Sequence, residues 1–198
     1  MTSISSLKAR NILKGSGLKS VTRADISKLF DISKQNTLYK LMVRLEKYGI
    51  LSRVAKGKYI FPENIKNDFE IANIIMTPSY VSLESALSYY GILSQFPYII
   101  TSITPLRSSK TDYRGKEFEF THVSESLFWG FEKKDGFLMA SPEKALIDTL
   151  YLAGKGLRKI NTDELTLSSL NRGKINRLAK QINFMPFQKR IQELEKLL

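Results

Sequence analysis

The sequence predicts an α+β fold in two parts, and three observations lead to this prediction. Apolar residues recur at helical spacing in several segments, most clearly between Leu38 and Leu45. Between such segments stand short runs with the alternation of β-strands, as in residues 116–123. Charge is divided unevenly, since residues 1–66 hold 14 Lys and Arg against 4 Asp and Glu, whereas residues 67–198 hold 17 against 15. We therefore expect a small basic domain over residues 1–66, and an α+β domain with a helical C-terminal tail over residues 67–198.

Composition excludes several classes of protein. Of the 198 residues, 42% are hydrophobic and 11% aromatic, which is enough for packed cores and argues against disorder. The absence of cysteine excludes disulfides and thiolate metal sites. The first 14 residues lack the apolar run of a signal peptide, and no segment approaches the ~18 continuous apolar residues of a membrane span. We therefore expect a cytoplasmic protein without a membrane partner.

Two short helices are predicted at the start of the basic domain. The first covers residues 3–13 and ends at the glycines of residues 15–17. The second covers residues 23–30, because Thr22 resembles an N-cap and Asp25 follows it at the spacing of a capping box. We expect this second helix to bury the side chains of Ala24, Ile26 and Leu29.

A third helix is predicted from Ser33, as its N-cap, to about Tyr48, and its two faces differ. One face is an apolar stripe formed by Leu38, Leu41, Met42 and Leu45. The opposite face and the first turn carry amide, hydroxyl, aromatic and cationic side chains, together with the apolar Val43, at Gln35, Asn36, Thr37, Tyr39, Lys40, Val43, Arg44 and Lys47. Amides pair bidentately with adenine, and cations reach guanine or phosphate in the major groove of DNA. The solvated face of an ordinary helix is the alternative.

A β-hairpin is predicted directly after the third helix. Residues 50–54 and 59–61 have the composition of strands, and residues 55–58 form the turn between them. A hairpin after a helix-turn-helix is the arrangement of a winged helix, in which the cations of the wing meet phosphates or the minor groove. A hairpin tip that only aids solubility is the alternative.

The basic domain is therefore predicted to bind double-stranded DNA. The residues expected near bases or phosphates are Arg23, Gln35, Asn36, Thr37, Tyr39, Lys40 and Arg44. The residues expected on the DNA backbone from the wing are Arg53, Lys56 and Lys58. One winged helix covers one half-site, so two copies of the chain are expected on a repeated site, as a homodimer on DNA.

The second domain is predicted as a small α+β unit. Its elements are expected in the order helix 69–76, helix 83–90 capped by Ser82, strand 98–104, polar loop 107–114, strand 116–123 and a hairpin over residues 127–140. A further helix begins at Ser141 as N-cap with Pro142 in its first turn. The tail from Asp163 is expected to form two or three helices, the last with an apolar stripe of Phe187, Ile191, Leu194 and Leu198.

No catalytic or metal site is predicted. His122 is the single histidine and lacks a second ligand at metal spacing, so a surface position on a strand is expected for it. Glu117 and Glu119 share a strand face, which is also what any solvated sheet provides. The glycine pairs at residues 15–17 and 154–156 lack the remaining residues of a phosphate-binding loop. We therefore expect neither an enzyme nor a cofactor.

The chain resembles the AbiEi-type antitoxins, winged-helix regulators of type IV abortive-infection toxin–antitoxin systems. The resemblance covers nearly the full length and rests on four segments in order: the predicted hairpin with Gly57, Lys58, Tyr59 and Pro62, then residues 80–87 with Gly91, then residues 101–104, and finally residues 140–148.

The resemblance implies a division of labour between the two domains. The N-terminal domain would bind promoter repeats and repress its own operon, while the C-terminal domain would counteract a nucleotidyltransferase toxin, with or without direct contact. Positions of the recurrent motif map to Pro142, Glu143, Lys144 and Asp148. Apart from the resemblance, Trp129 is a further candidate for partner contact, with a core position as its simpler alternative. The alternative for the motif is a structural role, since Lys144 and Asp148 are four residues apart on one helix.

Other functions remain open at the level of sequence. The chain is short for this group, which fits a transcriptional regulator without antitoxin activity. A protein-interaction module that holds an enzyme partner inactive is a second alternative. RNA binding ranks below both, because Tyr39 is the only obvious aromatic residue for base stacking on the polar face of the basic domain.

Overall fold

The computed structural model describes residues 4–95 and 97–196 and has a mixed α+β fold. The chain forms two compact units, Met1–Ile75 and Met76–Leu198. The division falls later than the expected boundary after residue 66, because the helix that follows this residue packs with the strands of the first unit. Ser3, the expected start of the first helix, and Leu198, the expected end of the last apolar stripe, lie outside the described residues.

The first unit contains four helices and a three-stranded antiparallel sheet in its described part. Its elements are α1 (Ser6–Ser16), β1 (Ser20–Val21), α2 (Arg23–Leu29), α3 (Gln35–Lys47), β2 (Ser52–Ala55), β3 (Lys58–Ile60) and α4 (Asp68–Ile75). The sheet has the order β1-β3-β2. The predicted hairpin is confirmed, whereas the two-residue strand β1, which completes the sheet, was not predicted.

Local signals explain most of the helix boundaries in this unit. The capping box of α2 is confirmed, since the Thr22 hydroxyl accepts from the Asp25 amide at 3.2 Å and the Asp25 carboxylate accepts from the Thr22 amide at 2.7 Å. Ser33 does not cap α3, whose N-cap is Lys34, without a side-chain hydrogen bond. Ala24 is exposed rather than buried, because it lies on the outer side of α2. The apolar stripe of α3 is buried as predicted.

The second unit is built around a six-stranded mixed sheet. Its elements are β4 (Tyr80–Val81), α5 (Leu83–Tyr89), β5 (Ile100–Thr104), β6 (Ser109–Tyr113), β7 (Lys116–His122), β8 (Phe131–Lys134), β9 (Phe137–Ala140), α6 (Pro142–Gly154), α7 (Arg172–Ala179) and α8 (Met185–Glu195). The strand order is β6-β7-β5-β4-β9-β8, with parallel pairs β5–β7 and β4–β9. The predicted loop over residues 107–114 was wrong, since it contains the exposed edge strand β6.

Helix α6 is the centre of the second unit. It contacts α5, α7, α8 and β9, and ten of its residues are buried. Ser141 caps it by accepting from the Lys144 amide, and Pro142 occupies the first turn, as predicted. Phe187, Ile191 and Leu194 of α8 are buried as predicted. In the described residues no helix has both the length and the apolar character needed to cross a bilayer.

Candidate nucleic-acid interface

The exposed face of α3 presents most of the predicted DNA-reading residues together. Side chains at the N-terminal half of the helix are solvent-exposed at Gln35, Asn36, Thr37, Tyr39 and Lys40. The exposed fraction is 58% for Tyr39 and 46% for Val43, so both side chains are accessible on this face. The first turn of α3 contains no acidic residue. The helix therefore offers amide, hydroxyl, aromatic and ammonium groups on one accessible surface.

The turn between α2 and α3 fixes the direction of this surface. Asp31 adopts φ of 50°, in the left-handed region, which reverses the chain between the two helices. The hydroxyl of Ser27 donates to the carbonyl of Ile32 at 2.7 Å and so joins α2 to the turn. Behind α3, Leu38, Leu41, Met42 and Leu45 anchor the helix in the core. The polar face is therefore carried by a well-packed element.

The hairpin carries two exposed cations near its tip. Arg53 lies on β2 and Lys56 occupies the turn, next to Gly57 at φ of 75°. The guanidinium of Arg53 donates to the carbonyl of Ala55 within the same hairpin at 3.4 Å, a long hydrogen bond. Both side chains remain accessible to a phosphate.

Lys58 is engaged inside the first unit. Its ammonium donates to the carbonyls of Ile74 and Ile75 at 3.0 and 3.2 Å, at the C-terminal end of α4. Burial lowers the pKa of this ammonium. A cation at the C-terminal carbonyls of a helix is stabilising, so Lys58 ties the hairpin to α4. Lys58 is therefore not among the proposed DNA contacts.

The two remaining cations of the predicted set differ in exposure. Arg23 is the first residue of α2, and its side chain is exposed. Arg44 is half-buried on α3, and its guanidinium donates to the carbonyl of Ile4. This hydrogen bond ties the chain before α1 to α3, so Arg44 has a structural contact in addition to any ligand contact.

The motif residues of α6 lie inside the second unit rather than on its surface. The ammonium of Lys144 is fully buried and donates to the Asp148 carboxylate and to the Leu127 carbonyl, the latter at 3.1 Å. Asp148 also accepts from the hydroxyls of Ser82 at 2.8 Å and Tyr80 at 3.0 Å. Burial raises the pKa of the Asp148 carboxyl, while the ammonium and the two hydroxyls oppose that rise. Burial and the Asp148 charge raise the pKa of the Tyr80 hydroxyl.

The two other candidates for partner contact are also tied to this region. Glu143 is buried and forms an ion pair of 2.7 Å with Lys174 of α7. Trp129 is half-buried, and its indole N–H donates to the Ser126 carbonyl at 2.9 Å. Its ring centre lies 4.4 Å from the Lys144 ammonium, a cation–π contact. This placement favours the structural alternative for Glu143, Lys144 and Asp148.

The carboxylates and the histidine of β7 take part in surface interactions. Lys110 pairs with Glu117 at 3.0 Å and with Glu119 at 3.2 Å, and Arg158 joins Glu119 to Glu84. His122 is exposed at the end of β7, with its Nδ1 3.0 Å from the Leu106 carbonyl. Among the described residues, no group of three or more His, Cys, Asp or Glu side chains is placed to hold a metal ion.

Comparisons with known proteins give no family for this chain. A scan against models of known protein families finds none that matches, and a search of curated proteins finds no significant match.

Proposed function

We propose that this protein binds double-stranded DNA in a sequence-specific manner through the exposed face of α3. The observation that carries the proposal is the set of accessible amide, hydroxyl and ammonium groups on the N-terminal half of this helix, at Gln35, Asn36, Thr37 and Lys40. These groups match the donor and acceptor pattern of base edges in the major groove. The apolar stripe on the opposite side of α3 holds the helix in the core, so the face is rigid enough to discriminate between bases.

Electrostatics support the same proposal. Residues 1–66 carry a net charge of +10, which attracts a polyanion over a long range at low salt. Tyr39 adds an exposed aromatic ring beside Lys40. Arg53 and Lys56 on the hairpin would contact phosphates on either side of the groove and so set the register of α3.

The order of elements in the first unit supports a winged-helix mode of binding. A helix-turn-helix formed by α2 and α3 is followed directly by the hairpin β2–β3, which would act as the wing. A single unit of this size reads one half-site, so we propose that two copies occupy a repeated or palindromic site.

Selection of bound duplexes from a random DNA pool tests this proposal. Repeated rounds with the full chain should enrich one motif, present twice at a fixed spacing. The variant Asn36→Ala should relax the preference at one position of each half-site, since a bidentate amide contact discriminates by ~1–3 kcal/mol. Failure to enrich any motif would overturn sequence-specific binding.

We further propose, from the resemblance to AbiEi-type antitoxins, that the protein represses its own operon and counteracts a nucleotidyltransferase toxin. The second unit would supply the antitoxin activity. Co-expression with the product of the neighbouring gene tests this directly: the full chain should restore growth that the neighbouring product alone arrests. If DNA is bound but growth is not restored, the protein acts as a transcriptional regulator only.

A further inference from the structure

An open cavity of about 690 Å³ lies within the first unit, beside the face of α3 that we propose for DNA. Its volume is in the range of small-molecule sites. Part of its lining comes from the N-terminal segment, with Ile4 before α1, and Lys8 and Ile12 one turn apart on α1. The lining also includes residues 29–32, at the end of α2 and in the turn to α3, and Thr37, Lys40, Leu41 and Arg44 of α3.

The floor of this cavity is apolar. Ile4, Ile12 and Leu29 pack against the core of the unit yet remain only partly buried. Ile32 and Leu41 are buried core residues that also line the cavity. Apolar side chains left partly exposed in a concave site favour a ligand with an apolar body.

The rim of the cavity is cationic. It contains Lys8, Lys40 and Arg44 against one acidic residue, Asp31. Within residues 4–95 and 97–196, no carboxylate forms an ion pair with Lys8 or Lys40. An anionic group at this rim would therefore gain charge-assisted hydrogen bonds without first breaking an ion pair of these lysines.

We propose that this cavity binds a small amphipathic carboxylate, with its apolar body on the isoleucine and leucine floor and its carboxylate at Lys8 and Lys40. Lys40 belongs to both the cavity and the proposed DNA-reading face. Occupation of the cavity therefore weakens DNA binding, and DNA weakens the binding of the carboxylate by the same factor. The binding of the carboxylate stands by itself; only its effect on DNA rests on the function proposed above.

Calorimetric titration of the full chain with 2-naphthoate tests the cavity, with 2-naphthamide as a neutral ligand of nearly the same shape. Naphthoate should bind at least about tenfold more tightly than the amide, since a tenfold ratio needs only one added charge-assisted contact. Lys8→Gln should lower the affinity for naphthoate by about tenfold, and Ile12→Trp, which fills the floor, should also weaken it. Lys28→Gln removes the same charge from α2 outside the cavity and should leave the affinity unchanged.

Several results would overturn the proposal. These are equal affinities for naphthoate and the amide, an equal loss in Lys8→Gln and Lys28→Gln, or the absence of saturable binding in a chain whose circular dichroism shows it folded. A DNA titration separates this inference from the proposed function. A chain that binds naphthoate but no DNA keeps the cavity site and loses the DNA function, whereas a chain that binds DNA but no naphthoate loses the cavity site alone.

Discussion

At the scale of single residues, the buried pair of Lys144 and Asp148 is the feature of the second unit that most needs compensating interactions. Both side chains are buried, and removing two charges from water is costly unless they are paired and hydrogen-bonded. Here the Asp148 carboxylate accepts hydrogen bonds from the Lys144 ammonium and from the hydroxyls of Tyr80 and Ser82. The ammonium also donates to the Leu127 carbonyl. The network joins β4, α6 and the segment before β8. The network therefore gives Lys144 and Asp148 a structural role in the fold of the second unit.

Replacing Asp148 with Asn should strongly destabilise the second unit. The amide keeps the shape and can still accept from Ser82 or Tyr80, but Lys144 becomes an uncompensated buried charge, which costs ~3–5 kcal/mol. Urea unfolding followed by the fluorescence of Trp129, the single tryptophan, reports on this unit. The control Glu117→Gln removes a carboxylate from a pair whose lysine is largely exposed, and should cost ~1 kcal/mol or less. Equal losses in the two variants would contradict the account of the network.

The sequence could not reveal this network, although it indicated the elements that carry it. Ser141 and Pro142 predicted the start of α6 correctly, because capping is a local interaction. The burial of the Lys144–Asp148 pair depends on Tyr80 and Ser82, which lie more than 60 residues earlier in the chain and donate to the Asp148 carboxylate only in the folded protein. A lysine in a helix is ordinarily expected at the surface, so the burial of Lys144 could not be predicted from the sequence.

At the scale of elements, the two lysines of the hairpin are expected to differ in function. Lys56 lies exposed in the turn, whereas Lys58 binds the last carbonyls of α4. Spacing in the sequence could not separate them, because the acceptors of Lys58 lie sixteen and seventeen residues further along the chain.

Lys56→Ala should weaken DNA binding about equally on all sequences and lower the slope of log affinity against log salt by roughly one unit. Lys58→Ala should leave that slope unchanged and lower the free energy of unfolding of the first unit by ~1–3 kcal/mol, the usual worth of hydrogen bonds from a charged donor. Anisotropy titrations over a range of salt concentrations measure the slopes, and thermal unfolding by circular dichroism measures stability. A slope reduced by Lys58→Ala instead would place this lysine on the DNA.

The capping box of α2 should make this helix sensitive to acid. Hydrogen bonds from the Thr22 amide and then from the Thr22 hydroxyl lower the pKa of the Asp25 carboxyl below its usual value of 3.8. A carboxyl with a lowered pKa in the folded state stabilises the fold above its unfolded pKa, and this contribution is lost as the pH falls through the folded value. The contribution is small because the side chain is exposed.

Amide hydrogen exchange can measure this dependence, since the amides of Ile26 and Phe30 bond within the helix to Thr22 and Ile26. Their protection factors should fall from pH 6 to pH 3 in the wild type. In Asp25→Asn, which keeps a side-chain oxygen as acceptor but cannot titrate, the fall should be smaller. The same fall in both proteins would show that the cap does not govern the acid response of α2.

The predictability of the elements follows from the range of the interactions that form them. The third helix and the hairpin were predicted, because their apolar stripe and turn residues are contiguous in sequence. The strands β1 and β4 have two residues each and carry no measurable period. Strand β6 is polar along its length, because it forms the edge of the sheet and only its pairing with β7 makes it a strand.

At the scale of the whole molecule, the main feature is the uneven distribution of net charge along the chain. Residues 1–66 carry a net charge of +10, while the buried ion pairs of Lys144 and Glu143 lie in residues 67–198, whose net charge is +2. This separation supports the proposal that the first unit binds a polyanion. The charge division was visible in the sequence, since it needs no knowledge of contacts.

The most direct test of sequence-specific DNA binding by α3 is fluorescence anisotropy of the full chain. It compares the DNA upstream of its own coding sequence with a scrambled duplex of equal composition, at near-physiological salt. We expect a preference of ~10³ or more for the upstream DNA. The preference should fall by about tenfold or more in Lys40→Ala, since one base contact discriminates by ~1–3 kcal/mol, and should be kept in Lys28→Ala, which removes the same charge from α2. Equal, weak binding to both duplexes would contradict the account and leave only a basic surface.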